Sequence, residues 1–201
     1  MLHTDAQFSE KVEAVVAEIE RKTDAEIVVV AAARSGSYDD LVANGAAAAA
    51  LLAFLALVLM PFQVNPILGM VDLVGTFLLA RFFLDAPWFL RRVAGAERKR
   101  AQVDQAAAAE FHFEAVHSTP GRKALLIYVS ALEGAVELIP DVGLEARIPR
   151  GRWADATAEF AHDDLEHFIR GMAKVGDLLA SEVPHTGSER LDLANAPRIR
   201  N

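Results

Sequence analysis

No cysteine occurs in this 201-residue chain, which excludes disulfides, thiolate catalysis and cysteine metal sites. A basic surplus is missing as well: 20 Lys and Arg stand against 28 Asp and Glu, for a formal net charge of -8. Nucleic acid is therefore not an expected partner. Neutralising phosphates takes clustered cations, and this chain concentrates them only around residues 91–100. Also absent are a Gly-rich phosphate loop, a dinucleotide fingerprint, a Gly-x-Ser-x-Gly elbow and a His-Glu-x-x-His pair. With no complete catalytic motif, the sequence names no reaction. The N-terminus has no basic stretch leading into an apolar one, so no cleavable signal peptide is expected.

What is present is a pair of apolar runs, residues 41–60 and 67–84, flanked on both sides by charged sequence. The first carries no charge, and its twenty residues, at ~1.5 Å each, match the ~30 Å hydrocarbon core of a bilayer. The link 61–66 is short and uncharged, a turn rather than a domain. These features predict a transmembrane hairpin over 41–90 that splits one soluble domain into segments 5–40 and 91–183, with a flexible tail over 184–201. Arg91, Arg92, Arg98, Lys99 and Arg100 follow the second run, whereas the link has no Lys or Arg. The positive-inside rule then predicts a multi-pass inner-membrane protein with its soluble domain and both termini in the cytoplasm. Pro87 marks a bend or end of the second helix, and Trp88 and Phe89 suit an interfacial belt.

The second run holds Asp72 and Arg81, each costing about 2.5 to 3.5 kcal/mol at a bilayer centre. Both costs shrink near the ends: Asp72 lies about 9 Å along the helix from the link, and Arg81 is placed to snorkel towards Asp85 at i+4. Gly69, Asp72, Thr76 and Ala80 share one helical face, which is predicted to dock on residues 46–50 of the first helix.

In the soluble segments, Phe8, Val12, Val15, Val16 and Ile19 recur at helical spacing, with Thr4 and Gln7 placed as a capping box. Residues 26–32, 124–130 and 135–140 read as buried strands, the last two joined by a turn over 132–134. Residues 97–117 and 153–183 are helix-compatible. The predicted class is α/β: a small α/β/α sandwich with a mixed sheet, interrupted by a two-helix transmembrane hairpin.

Three groups of side chains are candidates for chemistry. Asp141, Glu145 and Glu137 surround the exit of the strand hairpin and offer oxygen ligands to a hard divalent cation, Ca or Mg; nothing else implies a cofactor. Arg147, Arg150 and Arg152 beside Trp153 offer a surface to an anionic or protein partner. His112 with His117, and His162 with His167, are five residues apart, about 140° round a helix, so neither pair chelates from one face. His162 with Glu166, or Asp163 with His167, has ligand spacing at i+4.

Residues 20–30 (ERKTDAEIVVV), 36–38 (GSY), 119–130 (TPGRKALLIYVS) and 136–144 (VELIPDVGL) together resemble the TPM domain family. More closely, they resemble its branch of uncharacterised bacterial membrane proteins with a transmembrane hairpin inside the domain. The resemblance covers most of residues 8–183 and implies a compact α/β/α fold. Family members are linked to photosystem repair, receptor assembly and acid phosphatase activity, so no single function is implied. Where the family often has Asp-Asn-Gly before the second strand, this chain has residues 119–123, TPGRK, cation in place of carboxylate. The family's Gly-Leu-Glu after the third strand is matched by Gly143, Leu144 and Glu145, whereas the acid often found beyond its following Pro is Arg150 here. The resulting expectation is a non-enzymatic, membrane-tethered cytoplasmic module that binds or helps assemble another membrane protein, or a second copy of itself. The alternative is a divalent-metal-dependent phosphatase or other hydrolase.

Overall fold

A computed structural model describes residues 6–59, 61, 65–160, 164–187 and 193–200. Along the chain run α1 (Ala6–Glu20), β1 (Glu26–Ala32), α2 (Asp39–Leu59), α3 (Pro66–Leu84), α4 (Pro87–Val93), α5 (Ala96–Phe113), β2 (Ala124–Ser130), β3 (Ala135–Pro140), α6 (Val142–Glu145), α7 (Arg150–Ala158), α8 (Leu165–Glu182) and β4 (Arg198–Arg200). They divide into two units: one of residues 1–35 with 100–201, the other of residues 36–99.

The first unit is built on a four-stranded mixed sheet of order β3-β2-β1-β4. β1 and β2 pair in parallel over seven positions, from Glu26 opposite Ala124 to Ala32 opposite Ser130, and β3 returns antiparallel to β2. The β-branched runs are buried along their whole length because both faces of the sheet are covered. Ile27, Val29, Leu125 and Ile127 join Phe8, Val12, Phe168 and Met172 of α1 and α8 in one core. Alternate residues Val28, Val30, Leu126 and Tyr128 join Val103, Ala107 and Phe111 of α5 in another. The α/β/α sandwich expected from the sequence is therefore the observed architecture, and the three expected strands occupy their expected bounds.

Elsewhere the boundaries differ for local reasons. The helix expected to run to residue 117 stops at Phe113, because Ala115 turns the chain left-handed at φ 53. The long helix expected over 153–183 is two helices, the second restarted by Asp164, whose carboxylate accepts from the amides of Glu166 and His167. The expected flexible tail needs correction: Arg198–Arg200 forms β4, parallel to β1. Arg198 is 2.8 Å from Glu114, and Arg200 is 2.9 Å from Glu110 and also bonds Glu114, all on α5. Of the expected capping box, Thr4 lies outside the described residues.

The second unit is the helical hairpin. Pro66 occupies the first turn of α3, and the Asn65 side chain accepts from the Ile67 amide at 2.9 Å, which fixes the start of the helix. Val42, Ala46 and Ala50 are the buried residues of α2. A Cβ on Gly45 would come within 2.8 Å of Leu84, and one on Gly69 within 3.5 Å of Leu57, so small residues set the approach of the helices. Both are long and apolar enough to cross a membrane, and only 17% and 6% of their apolar windows are buried, unlike the core helix of a soluble domain.

Candidate functional site

The largest unpartnered surface lies on the hairpin. Leu59 is 83% exposed and Phe82 76%, with Leu52, Val58, Ile67, Leu68, Met70 and Val71 also well exposed. That belt is far larger than the scattered apolar residues normal on a protein surface. At its base, Arg98 grips Asp40 with two hydrogen bonds of 2.6 and 3.0 Å and lies over the Tyr38 ring at 5.2 Å. Arg81 pairs with Asp39 at 3.6 Å. The expected direction of Arg81 towards Asp85 is thus corrected: the first turn of α2 supplies its carboxylate. Asp72 is also corrected. Gly69 is buried and Thr76 and Ala80 are partly buried, but Asp72 is exposed, because the inward stripe continues through Phe77 and Leu84 instead. Pro87 ends no continuing helix; it opens α4 as its first residue. Of the expected orientation residues, Arg91, Arg92 and Arg100 are exposed, and Arg98 and Lys99 partly so.

The expected cation site at the exit of β3 is already occupied by protein. Asp141 is 2% exposed, and Arg122 donates to both its oxygens, from Nε at 2.7 Å and from Nη2 at 2.8 Å. The Val142 amide adds a third bond of 2.8 Å. Asp141 in return pushes the Arg122 guanidinium above its ordinary pKa, chiefly by hydrogen bonding. To reach this position Arg122 takes φ 54 directly after Gly121 at φ 72, a left-handed conformation that glycine adopts at little cost and arginine does not. Gly143 makes the approach possible: a Cβ there would lie 2.4 Å from the carbonyl oxygens of both Gly121 and Arg122.

Glu137 does not join Asp141. It pairs in register with Tyr128, whose ring belongs to the α5-side core, so it faces α5. There burial pushes its carboxyl above the usual range, with Asp104 adding to the push and Arg100 opposing it. Glu145 is exposed. Among the described residues no group of three or more His, Cys, Asp or Glu is placed to hold a metal.

The partner-facing arginines divide. Arg147 and Arg150 are exposed, while Arg152 bonds Glu182. Trp153 is 6% exposed and belongs to the sheet core, so it is a packing residue and no part of that surface. Its indole Nε1 is buried without a hydrogen-bond partner. The histidine spacing argument also meets a correction. Because the chain turns after Phe113, the His112 and His117 rings come within 5.2 Å, although two imidazoles alone leave a tetrahedral site half filled. His162 and Asp163 lie outside the described residues; Glu166 pairs with Lys11 and His167 with Asp164.

Sequence reasoning missed two buried polar sets at opposite ends of the parallel strands. Before β1, Asp24 accepts from the Thr186 amide at 2.9 Å and meets His185 at 3.1 Å and Lys123 at 3.7 Å. Glu20 accepts from the Ile27 amide at 3.0 Å. After β2, Ser130 bonds Glu133, which accepts from the Ser35 amide at 3.1 Å, and the Ser35 hydroxyl meets the Tyr128 hydroxyl at 2.9 Å. Burial raises the pKa of Tyr128. The only sequence signal was position, polar residues at the ends of uninterrupted apolar runs. These sets join α1, α8 and the strand ends by mutually satisfied bonds, which is a structural role.

No protein-family model matches the chain, and no curated protein does. Among solved structures it is similar to the NMR structure of the BA42 protein from the psychrophilic bacteria Bizionia argentinensis. The identity is 13% and the TM-score 0.56, over 97% of this chain and 94% of that one. At that identity the likeness carries the fold alone.

Proposed function

We propose that the chain is a multi-pass membrane protein of the TPM type, in which the α2–α3 hairpin crosses the bilayer twice and carries a cytoplasmic α/β/α module. That module binds or helps assemble another membrane protein, or a second copy of the chain. The observation that carries this reading is the exposed apolar belt of α2 and α3, attached to a soluble unit whose two cores use none of its residues. Such a belt is covered by lipid or by other membrane helices. Cytoplasmic orientation rests on the cations of residues 91–100 against a link that has none. Exposed Arg147 and Arg150 give the soluble unit a cationic loop for contact. On α3, exposed Asp72 lies one turn from Gly75, whose added Cβ would meet nothing within 4 Å. A carboxylate facing lipid is costly, so that face is suited to helix contact.

Nothing favours the metal-dependent hydrolase, since both Asp141 oxygens are engaged by Arg122 and the Val142 amide. Photo-crosslinkers placed at Arg150 and at Asp72 in native membranes test the leading reading. Reproducible adducts to one membrane protein, or to a second copy, are expected. No adduct from either position would sink it.

A further inference from the structure

The inference concerns α4 and depends on the hairpin being membrane-spanning. After α3 ends, α4 begins at Pro87 and is seated by Leu90, which is 1% exposed. Trp88, Arg91 and Arg92 stand at i, i+3 and i+4, so they share one helical face. All three are exposed, Trp88 by 65%. Other cations of residues 36–99 are directed into the protein. Arg81 faces Asp39 and Arg98 grips Asp40, while the Lys99 ammonium donates to the Arg91 carbonyl at 3.1 Å. The cationic, aromatic face next to the end of α3 is therefore that of α4.

We propose that the Trp88, Arg91 and Arg92 face binds the phosphate of an anionic phospholipid headgroup in the leaflet where α3 ends. An indole sits favourably at headgroup depth, and guanidinium is the side chain best matched to phosphate oxygens. Each basic residue at an anionic surface is worth about fivefold in binding.

The chain carries its own reporter, since it has two Trp and the other, Trp153, is buried in a separate core. Full-length protein is reconstituted in phosphatidylcholine vesicles containing either brominated phosphatidylglycerol or brominated phosphatidylcholine, and quenching of Trp88 is compared. Preferential quenching by the anionic lipid is expected, about fivefold or more, falling towards unity with raised salt and in an Arg91→Gln, Arg92→Gln variant. Unquenched Trp153 emission shows that the variant keeps its fold. The salt titration tests the wild type without any substitution. Equal quenching by the two lipids, or a preference untouched by both salt and the variant, would overturn the inference while leaving the hairpin in the membrane. Quenching by neither lipid would overturn the membrane reading and this inference together.

Discussion

Gly143 offers the sharpest stability test, because its neighbours are backbone atoms that cannot swing aside. In Gly143→Ala the new methyl would sit 2.4 Å from the carbonyl oxygens of Gly121 and Arg122. Ordinary contact needs roughly 3.5 Å, so the 119–123 loop has to retreat by about 1 Å. Overpacking of this kind costs about 1–3 kcal/mol. The retreat also pulls Arg122 from Asp141; the arginine side chain is 48% exposed, which holds that loss to about 1 kcal/mol or less. A total of about 2–4 kcal/mol corresponds to a fall in Tm of roughly 5–15 °C for a chain of this size. The internal control is Gly151→Ala in α7, where an added Cβ meets nothing within 4 Å and lower unfolded-state entropy gives a gain of about 0.5 kcal/mol. Thermal scans in detergent, followed by the near-ultraviolet signal of buried Trp153, separate the two. Since Gly143→Ala already weakens the ion pair, adding Arg122→Ala to it should cost less than Arg122→Ala alone. A Gly143→Ala protein that melts with the wild type, or a Gly151→Ala protein that falls equally, would refute the steric account.

Glu137→Gln should stabilise the fold at neutral pH. Burial raises the carboxyl above its ordinary 4.5, so ionising it costs stability once pH rises past that value. The advantage of the variant should therefore shrink to nothing near pH 4 in thermal scans; a gap independent of pH would contradict this. Removal of residues 198–201 should speed hydrogen exchange at Ala33, whose amide donates to the Arg200 carbonyl at 2.8 Å, and should cost about 1–2 kcal/mol; unchanged exchange would mean that β4 is not docked in solution. For topology, a single cysteine at Gln63 should react with an impermeant thiol reagent applied outside intact cells. Cysteines at exposed Ser37 and Ser118 should stay unlabelled until the membrane is opened. Ser130 cannot serve, being wholly buried. Outside labelling of the two soluble positions with Gln63 protected would reverse the orientation.

The three inner strands were legible because each is a short β-branched or aliphatic run between turn residues. β4 was not. Arg198, Ile199 and Arg200 have no readable period, and they are held by carboxylates on α5 more than eighty positions away. Trp153 beside three arginines looked like a binding face, yet Trp153, Ala156 and Phe160 form the inward stripe of α7 and the turn that follows it, with Ala154 and Asp155 outward. The stripe on α3 was misjudged by a fraction of a turn. Gly69, Thr76 and Ala80 were placed correctly, while Asp72 fell just outside the contact because the centre of the face runs through Phe77. At Asp141 the sequence supplied the acid but not its partner, since the Arg122 bond depends on a left-handed backbone.

The parallel pairing of β1 and β2 restricts how a hairpin can be inserted between them. Parallel neighbours need a crossover of a dozen or more residues, and a packed helix is the usual solution. α5, with 18 residues and its Val103, Ala107 and Phe111 on the sheet, supplies that crossover by itself. Neither core contains any residue from 36–99, so the hairpin is an addition to a crossover that is already complete. Ala32 and Ser130 nevertheless have to meet across it, in a register of seven consecutive pairs. A single crossing would leave them on opposite sides of a bilayer, and only an even number lets the sheet close. The sheet therefore constrains the count of crossings, while the direction depends on the cations that follow α3. A labelling pattern with Ser37 and Ser118 on different sides would contradict the β1–β2 register itself, whichever way the hairpin points.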